Sequence, residues 1–149
     1  MREQYPEMDL NKRIIWNFWD ISHTMRRISE GKGSQKRILI LLLEEGKALT
    51  HKELTDRLEV QPGSVSEVLG KLENAGLIIR TPNAEDRRTI DICLTADGEK
   101  AAKEAYQRRC ERHTQMFTAL TDTEKETLIG LLEKINLDWA GKYKKEEEK

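Results

Sequence analysis

The amino-acid sequence predicts a mostly α-helical protein with one small β-hairpin. Apolar residues recur at steps of three and four in long stretches near both ends of the 149-residue chain, which is the spacing of one face of an α-helix. Two shorter helical stretches in the middle are separated by a turn at Pro62. A single run, residues 89–95, alternates apolar and polar side chains as a β-strand does.

The N-terminal part of the chain is predicted to form two helices. The first, within residues 9–30, has one continuous apolar face. Residues 31–33 interrupt this pattern, and Ser34 can cap the second helix because its hydroxyl accepts a backbone N–H. Gly46 then ends the second helix. The apolar face of the first helix consists of Leu10, Ile14, Phe18, Ile21, Met25 and Ile28.

Two short helices are predicted in the middle of the chain. Thr50 and Glu53 have the spacing of a capping box, in which each side chain accepts the free backbone N–H of the other residue. Pro62 fits the first position of the following helix, residues 62–75, because its ring already holds a helical φ angle. Gly76 fits the left-handed position that ends this helix.

The β-hairpin is predicted directly after these helices. Its strands are residues 77–80 and 89–95. Alternation places Ile90, Ile92 and Leu94 on the same face of the hairpin.

Two further helices are predicted at the C-terminal end. The first opens near Thr95, and its apolar stripe extends to Leu120. Thr121 and Glu124 form a second capping box that begins the last helix. The apolar side of the last helix consists of Leu128, Leu131, Leu132, Ile135 and Trp139.

The order of these elements indicates a winged helix-turn-helix. Two short helices joined by a turn of about four residues, with the second followed by a hairpin, are the parts of that motif. We expect an N-terminal dimerisation helix and linker in residues 1–33, a DNA-binding domain in residues 34–97 and C-terminal dimerisation helices in residues 98–149.

The middle of the chain, about residues 34–102, resembles the MarR (multiple antibiotic resistance regulator) family. Each motif is common by itself, and their order and spacing carry the resemblance. The motifs are Leu49-Thr50-(x)2-Glu53-Leu54-(x)3-Leu58, Val65-Ser66, Leu72-Glu73-(x)2-Gly76-Leu77-Ile78-(x)-Arg80, Asp86-Arg87-Arg88 and Leu94-Thr95-(x)2-Gly98.

This resemblance implies an obligate homodimer whose N- and C-terminal helices interleave. Two winged units would then read a pseudo-palindromic site in double-stranded DNA. The resemblance also implies a transcriptional repressor that a small, often aromatic, ligand releases from DNA. The alternative is a winged-helix module that binds another protein and not DNA.

The charge distribution supports DNA binding in one segment of the chain only. The chain holds 26 basic and 27 acidic residues, so it lacks the basic excess that is typical of nucleic-acid binders. Residues 61–95 hold four basic and five acidic residues, whereas residues 26–37 hold five basic residues and one acidic residue. We expect the second segment to contribute phosphate contacts, with Lys36 and Arg37 among them.

The helix at residues 62–75 is the element that the resemblance places in the major groove. Short hydroxyls near its N-terminus can bond phosphates or base edges, although they also occur on simply solvated helices. Glu67 and Gly70 depart from the basic or polar residues expected there. The candidate DNA-contacting residues of this element are Gln61, Pro62, Ser64, Ser66, Glu67 and Lys71.

The wing loop holds the Asp-x-Arg pattern of the family at Asp86 and Arg88. The resemblance implies that Asp86 braces the wing while Arg87 or Arg88 enters the minor groove, whose narrow parts favour a planar guanidinium. The alternative is a surface ion pair between Asp86 and Arg88.

Other sites receive weaker support. Trp16, Trp19 and His23 form an aromatic patch that is a candidate effector pocket, although aromatic residues at helical spacing more often belong to a core or an interface. The three histidines share no metal-ligand spacing, and no catalytic pattern or cofactor motif is present. We therefore expect no enzyme activity, cofactor or metal.

The cysteines and the lack of a recognisable targeting signal indicate a reducing compartment. Cys93 and Cys110 are 17 positions apart and are expected to be reduced thiols, with Cys110 on the apolar stripe of its helix. The longest apolar run, residues 38–43, is far shorter than a membrane span, and no signal peptide is recognisable. We expect a cytoplasmic protein without membrane contact.

Overall fold

The computed structural model describes residues 8–29, 31, 34–84 and 86–143. Three residues of the first predicted helix and its linker, Glu30, Lys32 and Gly33, lie outside the described residues, as does Glu85 of the wing loop. The elements in chain order are α1 (Leu10–Ile28), α2 (Gln35–Glu45), β1 (Leu49–Thr50), α3 (His51–Leu58), α4 (Pro62–Asn74), β2 (Ile78–Pro82), β3 (Ile90–Leu94), α5 (Ala96–Met116) and α6 (Asp122–Lys142). The predicted fold class, mostly helical with a small β wing, is confirmed.

Helix ends lie where capping chemistry predicted them. Ser34 accepts the backbone N–H of Arg37 at 3.3 Å, and Gly46 ends α2 with a left-handed φ of 63°. Reciprocal capping boxes begin both α3 and α6. The boxes pair Thr50 with Glu53 and Thr121 with Glu124.

The hydrophobic core lies between α2, α3, α4 and the sheet. Its members come from every one of these elements, which makes the helix-turn-helix and the wing one packed body. Each fully buried aliphatic side chain contributes about 1.5–3 kcal/mol relative to an exposed one. The largest fully buried side chains are Ile38, Ile40, Leu49, Leu54, Val65, Leu69, Leu72, Ile78 and Ile92.

The sheet has three strands, one more than the predicted hairpin. Its order is β1-β3-β2, with both pairs antiparallel. In β1, Leu49 pairs with Ile92. Ile90, which alternation places on the same face as Ile92 and Leu94, is 41% exposed. Ile90 pairs with Pro82 at the far end of the hairpin, where the wing extends past the core.

The base of the wing is joined to α5 by a close backbone approach. The Thr95 hydroxyl donates to the Gly76 carbonyl at 2.6 Å and accepts the Gly98 N–H at 3.0 Å. A Cβ placed at Gly98 would overlap the carbonyl group of Leu77. The site therefore requires glycine for space, because any larger residue displaces the main chain of the wing.

The chain divides into two compact units, Met1–Tyr106 and Gln107–Lys149. α5 ends at Met116, so the predicted apolar stripe is wrong at its last members, Phe117 and Leu120, which lie in the turn that follows. The functional segments 1–33, 34–97 and 98–149 remain predictions.

The first and last helices expose their apolar faces in the single chain. No described residue of α1 or α6 is buried. No helix among the described residues has the length and apolarity to cross a membrane. The exposed apolar side chains on these two helices include Leu10, Ile14, Trp19, Ile21, Met25, Leu128, Ile129, Leu131, Leu137 and Trp139.

Candidate nucleic-acid interface

The turn between α3 and α4 sets the start of the second helix. Glu59 ends α3 in a left-handed conformation with φ of 52°, and Val60 donates its N–H to the Thr55 carbonyl at 3.4 Å. Pro62 then occupies the first turn of α4, preceded by Gln61. The Gln61 side chain makes no capping hydrogen bond, so the N-terminal N–H groups of α4 have no side-chain cap.

α4 has a sharply divided surface. Val65, Leu69 and Leu72 are fully buried, which fixes the rotation of the helix about its axis. Exposed polar side chains occupy the opposite side, and Gly70 leaves open space there. The exposed members of the predicted DNA-contacting set on this helix are Pro62, Ser64, Ser66, Glu67 and Lys71.

Glu67 and Lys71 form an ion pair on this exposed side. Their carboxylate Oε1 and ammonium Nζ are 2.7 Å apart, one helical turn from each other. The hydrogen bond from Lys71 and its positive charge lower the pKa of the Glu67 carboxyl, so this side chain is negatively charged at neutral pH. Lys71, the basic residue predicted to contact DNA from α4, is therefore bonded to an acid.

Ser66 is held by a residue that the sequence did not place in the site. His51, the first residue of α3, has its imidazole Nε2 2.9 Å from Ser66 Oγ. The Ser66 hydroxyl is also 3.2 Å from the Pro62 carbonyl oxygen. The pair joins residues 15 positions apart, so no local spacing could have indicated it.

The wing loop is closed by hydrogen bonds around Asp86. Asp86 accepts the Arg88 backbone N–H at 3.0 Å through Oδ1 and the Thr89 hydroxyl at 3.2 Å through Oδ2. Asn83 accepts the Asp86 N–H at 3.0 Å, and its own side-chain amide donates to both carboxylate oxygens of Asp91 at 3.0 Å. These bonds shape the loop without using the arginine side chains.

Arg87 and Arg88 are the exposed cations of the wing. Both side chains are solvent-exposed, and neither forms an ion pair with the residues that the structure describes. The alternative of an Asp86–Arg88 ion pair is not observed, because the Asp86 carboxylate is bonded to the main chain of Arg88 and to Thr89. Their contact with DNA remains a prediction.

The basic segment before α2 is partly used within the chain. Lys36 is exposed and Arg37 is half-buried in the first turn of α2. Arg26 instead donates to the carbonyl oxygen of Ser22 at 3.4 Å and to its hydroxyl at 3.2 Å. Lys36 is therefore the more accessible of the two predicted phosphate contacts.

The aromatic patch on α1 forms a surface cluster. The Trp16 and Trp19 rings are 5.8 Å apart at 55°, Trp19 is 61% exposed, and His23 is exposed. A cavity of about 430 Å³ lies elsewhere, between the end of α2, β3 and the start of α5. Its lining residues are Leu42, Leu43, Gly46, Lys47, Ala48, Cys93, Leu94 and Glu99.

The cysteines and acidic residues form no metal site in the part of the chain that the structure describes. No group of three or more histidine, cysteine or acidic side chains there has metal-binding proximity. Cys93 and Cys110 are partly buried and are not bonded to each other in the structure, and their reduced state stays a prediction.

Comparisons with known proteins indicate one family of transcriptional regulators. A family model described as the MarR family matches residues 32–89. The transcriptional repressor MdtR of Bacillus subtilis is 32% identical over 109 residues, which cover 72% of this chain and 70% of that protein.

Solved structures have the same fold. Wild-type apo MarR from E. coli superimposes with a TM-score of 0.60 and 28% identity over 68% of this chain and 74% of that chain. A cysteine-to-serine mutant of E. coli MarR, complexed with operator DNA, gives a TM-score of 0.65 and 24% identity over 86% of this chain and 99% of that chain. At the latter identity the likeness concerns the fold alone.

Proposed function

The chain belongs to the MarR family of transcriptional regulators, and from this premise we propose that it is a homodimeric, sequence-specific repressor that binds double-stranded DNA. In the proposal, α4 enters the major groove of each half of a pseudo-palindromic site, and the wing reaches the adjacent minor groove. A structural neighbour with this fold is complexed with operator DNA, which supports the proposal.

The observation that carries the proposal is the state of the wing. Asp86 is bonded to the loop itself, while Arg87 and Arg88 extend into solvent without an acidic partner among the described residues. Two free guanidinium groups on a braced loop are suited to phosphates and to a narrow minor groove. An ion pair between Asp86 and Arg88 would have left the Arg88 guanidinium less available for such a contact.

The uncovered apolar faces of α1 and α6 support the homodimer. Their exposed leucine, isoleucine and tryptophan side chains form surfaces that a soluble monomer rarely presents. A second copy of the chain provides apolar partners of the same kind. We expect sedimentation to give a dimer at micromolar protein, and a well-folded monomer independent of concentration would contradict the two-half-site arrangement.

A salt series on duplex DNA tests the DNA-binding part. The duplex is first selected from a random library by the chain itself. Arg87 and Arg88 of two protomers give about four phosphate-class contacts, so log K is expected to fall with log salt at a slope of about −3.6. Affinity then decreases about 150-fold between 0.05 and 0.2 M salt. Replacing both arginines by glutamine is expected to flatten this slope, whereas Lys134→Gln on α6 is expected to leave it unchanged.

A protein-interaction module is the second candidate function. The Glu67–Lys71 ion pair favours it, because the exposed side of α4 then has no free positive charge among the predicted contacts. The salt series separates the two functions. Binding to a protein partner with no selected duplex and no counterion-release slope would support the module.

Release from DNA by a small aromatic ligand completes the proposal. The tilted Trp16–Trp19 pair offers an exposed aromatic surface on which a ring can stack. Benzoate is a suitable probe, and we expect it to dissociate the parent chain from its selected duplex but to act much more weakly on Trp19→Ala. Equal release of both proteins would place the effector site elsewhere.

A further inference from the structure

Three polar groups meet where α3 touches the start of α4. The imidazole Nε2 of His51 lies 2.9 Å from Ser66 Oγ, and the same oxygen lies 3.2 Å from the carbonyl oxygen of Pro62. Ser66 itself is solvent-exposed. The hydroxyl that α4 would present to DNA therefore already has two partners inside the protein.

The hydrogen and the lone pairs of the Ser66 hydroxyl determine which further hydrogen bond it can form. A serine hydroxyl has one hydrogen and two lone pairs, and a carbonyl oxygen can only accept. A hydrogen bond to the Pro62 carbonyl therefore uses the single hydrogen of Ser66. With the hydrogen on the Pro62 side, His51 Nε2 carries a proton and donates to Ser66 Oγ, which uses one lone pair; in the other tautomer Nε2 would accept that hydrogen instead. One lone pair is left for an outside partner.

We propose that His51 is a positioning residue that commits the Ser66 hydroxyl to accepting a hydrogen bond in the major groove, so that each protomer reads one exocyclic amino group. This inference rests on the proposed DNA-binding function. Adenine N6 and cytosine N4 are the amino donors that the major groove presents. Phosphate oxygens, guanine O6 and purine N7 are acceptors, so they are not partners for the remaining lone pair.

Ser64 provides an internal comparison on the same helix. It is exposed like Ser66, but its hydroxyl makes no hydrogen bond with the residues that the structure describes. That hydroxyl can rotate to donate or accept, and it can bond a phosphate or either kind of base edge. Only the serine held by His51 is restricted to acceptor chemistry.

Synthetic duplexes test the proposal directly. The probe is the duplex selected by the parent chain, in which purine replaces adenine or pyrimidin-2-one replaces cytosine at one position at a time. Each replacement removes one amino group from the major groove. We expect one position in each half-site at which this removal weakens parent binding about fivefold. Ser66→Ala is expected to bind more weakly and to be insensitive at that position.

Variants of His51 separate positioning from direct contact. His51→Ala is expected to lose the sensitivity to the missing amino group, and His51→Gln to restore it, because the glutamine amide nitrogen reaches about as far as Nε2. The shorter His51→Asn is not expected to restore it. Combining His51→Ala with Ser66→Ala is expected to weaken binding no further than Ser66→Ala alone.

His113→Ala is expected to keep the parent affinity and sensitivity. Ser64→Ala, at a separate candidate contact, is expected to keep the affinity ratio between the intact and the modified duplex, and thermal melting confirms that each variant is folded. Additive losses in the double variant would overturn the inference, because His51 would then contact DNA itself. Equal sensitivity in the parent and Ser66→Ala would also overturn it. If selection enriches no duplex at all, the proposed function fails together with the inference.

Discussion

Replacing Glu67 by glutamine should strengthen binding to duplex DNA of random sequence. The Glu67 carboxylate now holds the Lys71 ammonium at 2.7 Å and places a negative charge on the exposed side of α4. Glutamine keeps the size of the side chain but removes the charge. Lys71 is then free to contact a phosphate, and the repulsion between Glu67 and the DNA backbone disappears.

The size of this effect follows from counterion release. One new lysine–phosphate contact per protomer adds about 0.9 to the salt slope, or about 1.8 for the dimer. At 0.1 M salt each contact raises affinity up to about eightfold relative to 1 M salt, which gives an upper limit of about 60-fold for two. The gain should shrink toward nothing as salt approaches 1 M, because screening removes the contribution of the new contact.

Fluorescence anisotropy with a short duplex of random sequence measures this gain across a salt series. Glu99→Gln is the matched control, since Glu99 forms an ion pair of the same spacing with Lys103 at 2.6 Å on α5. The control makes the same change in net charge and should leave DNA affinity nearly unchanged. Equal gains in both variants would reduce the effect to bulk charge. Weaker binding by Glu67→Gln on the selected duplex alone would refute the reasoning, because Glu67 would then read a cytosine amino group.

Three further substitutions test the wing, its base and the capping of α3. Arg88→Ala should weaken binding to the selected duplex about a hundredfold at unchanged melting temperature, and Arg88→Lys should restore part of the affinity. Parent-like affinity of Arg88→Ala at about 0.15 M salt would exclude the wing from the interface. Gly98→Ala should destabilise the fold by about 3 kcal/mol, because a Cβ there meets the Leu77 carbonyl, and calorimetry should show a melting temperature about 6–12 °C lower. A change under about 2 °C would show that the main chain at the base of the wing shifts at little cost. Hydrogen bonds from Thr50 lower the pKa of Glu53, so this carboxylate stabilises the fold above its unfolded-state pKa and loses that contribution as pH falls through its folded-state pKa. Melting curves between about pH 3 and 6 should therefore show a smaller acid loss for Thr50→Val than for the parent, and parallel curves would contradict this.

Local hydrogen-bonding chemistry made the helix ends predictable from sequence. The capping box of Thr50 and Glu53 lies within four residues, and Gly46 and Gly76 take the left-handed conformations that helix ends require. Such features need no tertiary information. The core face of α4 follows from helical periodicity, which indicates Val65, Val68, Leu69 and Leu72; of these, Val68 is only partly buried.

Features that depend on distant partners were not predictable. β1 has only two residues, so it carries no periodicity, and it exists because Leu49 pairs with Ile92 across the sheet. The hydrogen bond of His51 to Ser66 also needs the packed helix-turn-helix. By contrast, the Glu67–Lys71 pair has an (i, i+4) spacing that was readable in the sequence, and its consequence for Lys71 was missed.

A chain of net charge −1 can still present accessible cations, because its ion pairs are unevenly distributed. In residues 61–95, Lys71 and Arg80 are bonded to acids on α4, and those charges largely compensate each other at close range. Only Arg87 and Arg88 remain as exposed cations without an acidic partner among the described residues of this segment. Because exposed charges act over about 8–10 Å at physiological salt, a guanidinium at the wing tip is felt by DNA more strongly than the formal sum of the chain implies. The wing should therefore supply most of the salt-dependent affinity, while α4, with its hydroxyls and its neutralised lysine, supplies sequence preference.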